Sequence, residues 1–151
     1  MGIEAPITGS ERIVKVFGHW PSFHDAEVLS LRLARGTQEN EGSAAPSMEM
    51  VIHAFEMTDE VSPRGTYVLR KHVLVHFRFN DIVDLKLEDF NHQNVLLRLC
   101  IFDIREDQLE KIYFEIRMDS SFGLNGGCKC KSVEVVDVKA CDEHGVELRG
   151  D

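Results

Sequence analysis

The sequence predicts a mainly β fold of the α+β class: an antiparallel sheet of about seven strands with one short N-terminal helix packed on it. Two observations carry this expectation. Apolar residues follow a helical spacing only near the N-terminus, and from Glu27 onward they alternate with a period of two. Turn-forming residues then punctuate the chain at short intervals, which leaves no room for the crossovers of a dozen or more residues that parallel strands require.

The elements follow in chain order. Ser10 is placed to cap a short helix over Ser10 to Phe17, Glu11 favours its first turn, and Ile13, Val14, Val16 and Phe17 give it an apolar face. Gly18 suits the left-handed position past its end, and Pro21 forbids continuation. So short a helix must pack on something else. Leu29, Leu31 and Leu33 then alternate with Ser30, Arg32 and Ala34 as a half-buried strand. Gly36 to Ser47 is small and polar, hence a loop. Met48 to Met57 reads as a strand with Val51, His53, Phe55 and Met57 on one face, and Thr58 to Gly65 as a turn.

Thr66 to Phe79 is a long strand in which Val73, Val75, Phe77 and Phe79 alternate with His72, Leu74, His76 and Arg78. After the Asn80-Asp81 turn come two more strands, Ile82 to Leu87 and Val95 to Ile104, and one helical turn over Asp107 to Lys111. Ile112 to Met118 alternates again. Ser120 to Gly127 reads as a hairpin connection whose positive φ comes from Asn125-Gly126. Lys131 to Ala140 closes the series, with Val133 and Val135 set against Val136 and Val138 across a bulge. No repeat or linker divides the chain, so 1–151 reads as a single domain with its ordered core over about 10–140.

Composition narrows the function. Hydrophobic residues are 43% and charged residues 28% of the chain, which excludes fibrous and disordered classes. No apolar run approaches the roughly 18 residues of a membrane span, and the first residues lack the basic and apolar regions of a secretory signal. A cytoplasmic protein with no membrane partner is expected. Twenty-six acids against 17 bases give a net charge of −9. Nucleic-acid binders present a basic face, so no nucleic acid is expected, and a partner steered by this field is basic. Loops would present the acids Glu39, Glu41, Asp59, Glu60, Asp81, Asp84, Glu88, Asp89, Glu106 and Asp107 to it.

The chemistry-bearing residues form no strong signature. His24-Asp25-Ala26-Glu27 groups three ionisable side chains that could ligate a metal or exchange protons. A metal site normally adds a second ligand group at recognisable spacing, and no HExxH is present. The expected role is structural: Asp25 accepts local hydrogen bonds that fix the turn into Val28, and His24 packs beside it. Trp20, between the helix stop and Pro21, is expected to be largely buried as an anchor. His53 and His76, or His72 and His76, could share a face and bind a metal or sense pH, though partly exposed sheet histidines are the commoner case. Cys128 and Cys130 are too close in sequence for an unstrained disulfide, and with Cys100 and Cys141 they are expected to be reduced and metal-free. No P-loop, GxGxxG or GxSxG is present. No catalytic residue, metal or cofactor is therefore assigned, and the oligomeric state is left open.

Two blocks carry a resemblance. Phe17 to Val28 (FGHWPSFHDAEV) and Asp84 to Val95 (DLKLEDFNHQNV) resemble the immunity protein 50 family of bacterial polymorphic toxin systems. His53 to Thr58, Asp119 to Gly123 and Cys130 to Val135 fit it too. The resemblance implies a small cytoplasmic protein that binds and neutralises a cognate toxin domain, without catalysis. Trp20, Pro21, His24, Asp25 and Glu27 carry its motif, in a structural or a binding role. The alternative is a small metal- or ligand-binding, enzyme-like domain built on His24, Asp25 and Glu27.

Overall fold

The computed structural model describes residues 7–36, 45–107 and 112–149. Among them lie one α-helix, α1 (Glu11–Phe17), and eight strands: β1 (Glu27–Ala34), β2 (Ser47–Val61), β3 (Tyr67–Asn80), β4 (Val83–Glu88), β5 (Val95–Asp103), β6 (Phe114–Phe122), β7 (Asn125–Cys130) and β8 (Ser132–Ala140). The strands form one sheet in the order β4-β7-β6-β5-β1-β2-β3-β8, and every neighbouring pair is antiparallel. The mainly β class and the packed N-terminal helix are as expected. The added strand is β7, which lies where the sequence suggested the end of a hairpin connection. The turn is Gly123-Leu124 instead, with Gly123 at φ +84. Gly126 and Gly127 sit inside β7, where a Cβ would meet the Lys86 carbonyl oxygen at 1.9 Å and the Ile116 carbonyl oxygen at 2.0 Å.

Alternation decides the inner face of each strand. In β3 it is Val73, Val75, Phe77 and Phe79, all buried. In β2 it is Met48, Met50, Ile52 and Ala54, while Val51, Phe55 and Met57 take the other face. Leu96, Leu99 and Ile101 of β5 join Phe114, Ile116 and Met118 of β6, Cys128 and Cys130 of β7, and Val133 and Val135 of β8 in one cluster with these residues. In β1 the face changes at a bulge: the register shifts between Val28, which is buried, and Ser30, and beyond it Leu31 and Leu33 stand opposite inner-face Met50 and Met48, Leu31 packing on the core while Leu29 and Leu33 are exposed. The bulge expected in β8 is present, where the register against β3 skips Val136.

Helix α1 buries Ile13 and Phe17 toward β3 and β8. Gly18 adopts the left-handed conformation and donates its N–H to the Val14 carbonyl at 2.7 Å, as expected. Ser10 does not cap. Its backbone is already helical, and its side chain makes no capping hydrogen bond. The chain before the helix is held instead by Thr8, which donates to Val133 O and accepts from Val135 N–H along the edge of β8. The Arg12 guanidinium adds a hydrogen bond to the Val136 carbonyl. Residues 37–44 and 108–111, within the expected loop and the expected helical turn, lie outside the described residues; a 3-10 turn occupies Arg105–Asp107.

Candidate functional site

The motif around Trp20 runs along the join between two halves of the sheet. On one side stand β4, β7, β6 and β5, and on the other β1, β2, β3 and β8. Between β1 and β5 a single pair is in register, Glu27 opposite Val95. The backbone of residues 22–28 supplies the rest of the join. Val28 N–H donates to Asn94 O, Leu96 N–H to Ala26 O and Asp25 N–H to Leu96 O, each at 2.8 Å, and Leu99 N–H donates to Ser22 O at 3.3 Å. These groups lie beside buried Ala26, Val28 and Leu96, so leaving any of them unpaired would be costly.

Reaching these partners bends the motif sharply. Phe23 and Asp25 both have left-handed backbones, at φ 64° and 66°. Asp tolerates that conformation, whereas Phe adopts it only under compulsion from its surroundings. The compulsion is an aromatic cluster. The buried Phe23 ring meets Phe77 edge-on at 5.8 Å and Trp20 at 5.9 Å, and Trp20 meets Phe77 at 6.3 Å. Trp20 packs against the core without being fully enclosed: it closes the cluster from outside while Phe23 takes the inner place.

Asp25 differs from the expectation. Among the described residues its carboxylate accepts no backbone hydrogen bond; it lies 3.3 Å from Nδ1 of exposed His24, and the residue acts through its N–H and its φ. His24 N–H donates to Ser22 Oγ. Glu27 begins β1 between His53 of β2 and Val95 of β5. Among the described residues no three His, Cys, Asp or Glu side chains are grouped as metal ligands.

The polar side chain that fixes this region is Asn94, which sequence reasoning did not single out. It is buried, and its Oδ1 accepts from Asn91 N–H at 3.0 Å and Leu124 N–H at 3.2 Å. Its Nδ2 donates to Asn91 O at 2.9 Å and Val28 O at 3.4 Å. One amide thus ties the β4–β5 loop, the β6–β7 turn and the start of β1 together. Its only signal in sequence was its place in the block ending at Val95.

The register of β2 against β3 puts His53 and His76 on one face, but the contacts made there are a histidine pair and a histidine–carboxylate bond. His53 Nε2 and His72 Nδ1 lie 2.9 Å apart, diagonal across β2 and β3, while His76 Nε2 bonds Glu49 Oε1 at 2.7 Å. Burial holds the His53 imidazole below its ordinary pKa; nearby His72 and His144 act in the same direction and Asp142 against it. Burial would raise the Glu49 carboxyl, but its bond to His76 and the charges of Arg78 and Arg32 bring it below the usual range. The four cysteines are free. Burial pushes the Cys128 thiol up to about 12 and the Cys141 thiol to about 11, and raises Cys130 as well, which leaves all three poor nucleophiles.

Two clefts bear on these residues, one beside the motif and one over β4, β7 and β6. One, of about 480 Å³, brings motif residues Pro21, Ser22 and His24 against Met57 and Asp59 of β2. The other, of about 610 Å³, lies over the glycines of β7 and is lined by Asp84, Lys86, Glu88 and Arg117 among others. The candidate acids divide accordingly. Glu60 is bonded to Arg70 within its own hairpin. Asp84, Glu88 and Asp89 are exposed along the edge strand β4 and its exit, beside half-exposed Phe90 and Phe122. Asp81 occupies the β3–β4 turn at φ 56°, and Glu106 is exposed in the 3-10 turn. Glu39 and Glu41 lie outside the described residues.

Fold and motif together define a small antiparallel β protein whose most distinctive sequence block serves to build its own sheet. The model of the immunity protein 50 family matches residues 9–141, and the chain belongs to that family. No curated protein and no solved structure matches it. Membership implies an immunity role directed at a toxin.

Proposed function

We propose that this chain is a toxin-neutralising immunity protein of the cytoplasm, which binds a cognate polymorphic toxin domain and blocks it without catalysis. The observation that carries the reading is the family match across residues 9–141. The geometry of the motif supports a binding protein over an enzyme-like domain. Residues 22–28 are committed to hydrogen bonds along the join, and His24 and Asp25 pair with each other. Specificity for one toxin among many then belongs to surfaces that can vary without unmaking the sheet.

The acids of the β4 edge suit that task. Asp84, Glu88 and Asp89 extend along one rim, have no ion-pair partner among the described residues, and carry the sign that attracts a basic toxin. The test is binding kinetics against the toxin domain encoded beside this chain's gene. Wild-type protein should bind and protect. Asp84→Lys/Glu88→Lys/Asp89→Lys should lower the association rate about tenfold. Absence of wild-type binding would overturn the immunity reading, and an unchanged rate in the triple variant would overturn only the assignment of the edge.

A further inference from the structure

The hairpin of β2 and β3 is longer than the sheet that supports it. Pairing with β1 ends at Glu27 opposite His53, and pairing with β8 ends at Ala140 opposite Val73. Past the bond that Cys141 N–H donates to His72 O, β2 and β3 continue as a two-stranded arm, closed by the Ser62–Thr66 turn, with no third strand on either edge among the described residues. Within the arm Met57 lies opposite Leu69, and Val61 opposite Tyr67. Leu69 and Tyr67 are two apart on one strand, so they and their cross-strand partners share a face. All four are exposed: Met57 by 48%, Leu69 by 36%, Val61 by 58% and Tyr67 by 57%. An isolated two-stranded ribbon is marginally stable in water, and a cluster of exposed apolar side chains on one marks an interaction surface.

The charges of the arm indicate what covers it. Glu56, Asp59 and Glu60 balance Arg64, Arg70 and Lys71, so the arm is neutral in a chain of net charge −9. Glu56 pairs with Lys71 and Glu60 with Arg70. Among the described residues Asp59 and Arg64 have no ion-pair partner; they are opposite in sign, Asp59 lying on β2 between Met57 and Val61 and Arg64 in the turn. A basic partner gains nothing from a neutral arm. A second copy of the same arm offers an equally neutral apolar face, and a two-fold axis sets Asp59 of each copy against Arg64 of the other.

We propose that the arm is a self-association surface through which two copies of this chain form a two-fold dimer. The proposal does not depend on the identity of a toxin. Sedimentation equilibrium of the full chain over a concentration series should show a species of twice the chain mass. Met57→Lys/Tyr67→Lys changes two exposed side chains, so it should keep the fold by circular dichroism and sediment as a monomer. Asp59→Arg alone should weaken association about tenfold by setting like charges together, and Asp59→Arg/Arg64→Asp should restore it. The charge variants keep the proposal testable if the apolar one fails to fold. A monomer at every concentration would overturn the proposal. So would a dimer indifferent to Met57→Lys/Tyr67→Lys, or a charge exchange that fails to restore what Asp59→Arg removes.

Discussion

Asn94, Asp25 and His53 show how much of this protein rests on single side chains. Replacing Asn94 by Ala strands the Leu124 N–H and removes a partner from the Val28 carbonyl in a buried setting, and it releases the N–H of exposed Asn91. Each unpaired buried group costs about 1–3 kcal/mol, so Asn94→Ala should lower the urea midpoint substantially. Asp25 predicts the opposite kind of result. Its contribution is a left-handed backbone and an N–H, so Asp25→Gly should be tolerated within about 1 kcal/mol, while β-branched Asp25→Val should lose more. Equal losses in both would show that the carboxylate matters after all. For His53, a folded-state pKa held below 6.5 means the unfolded chain binds more protons as pH falls. The His53 contribution is therefore fully present above pH of about 6.5 and is lost progressively below it. Thermal melts between pH 7.5 and 5 should show this loss in wild type and a flatter profile in His53→Gln.

At the scale of elements, the join between the half-sheets and the glycine lane of β7 set the architecture. β5 meets β1 over one registered pair, so the backbone of residues 22–28 carries the connection. Leu96→Pro would delete the N–H that bonds Ala26 O and should prevent folding, read as loss of near-ultraviolet circular dichroism. Gly127 lets β7 lie close to β6; its added Cβ would stand 2.0 Å from the Ile116 carbonyl oxygen. Backbone must move to admit it, so Gly127→Ala should destabilise by about 1–3 kcal/mol in denaturant titration. The same element scale explains the strand the sequence hid. Asn125-Gly126-Gly127 has the composition of a turn, yet here the absence of side chains admits a neighbouring strand.

For the whole molecule the decisive quantity is the charge of −9 and where it lies. The arm is neutral, and part of the acid count is consumed in ion pairs such as Arg98–Asp119 and Arg105–Asp103. What remains on the β4 edge is exposed to solvent and to salt. Association with the toxin should slow markedly between 0.1 and 1 M salt, because the Debye length falls from about 10 Å to about 3 Å, while dissociation changes less. An association rate indifferent to salt would remove the electrostatic argument and leave the family assignment standing.

The sequence by itself determined the class of fold, the helix with its glycine stop, and the inner face of β3, because these depend on local periodicity and on one residue's φ preference. It also carried the family, through a string of residues that no period requires. Only the tertiary structure decided the rest. That Trp20 stays partly open while Phe23 is buried depends on Phe77 arriving from another strand. That His53 meets His72 and not His76 depends on the register of β2 against β3. Asn94 looks like any loop asparagine until β1, β5 and the β6–β7 turn close around it. Hydrogen bonds between segments far apart in the chain leave no local pattern, because their geometry is set by the backbones that the whole fold brings together.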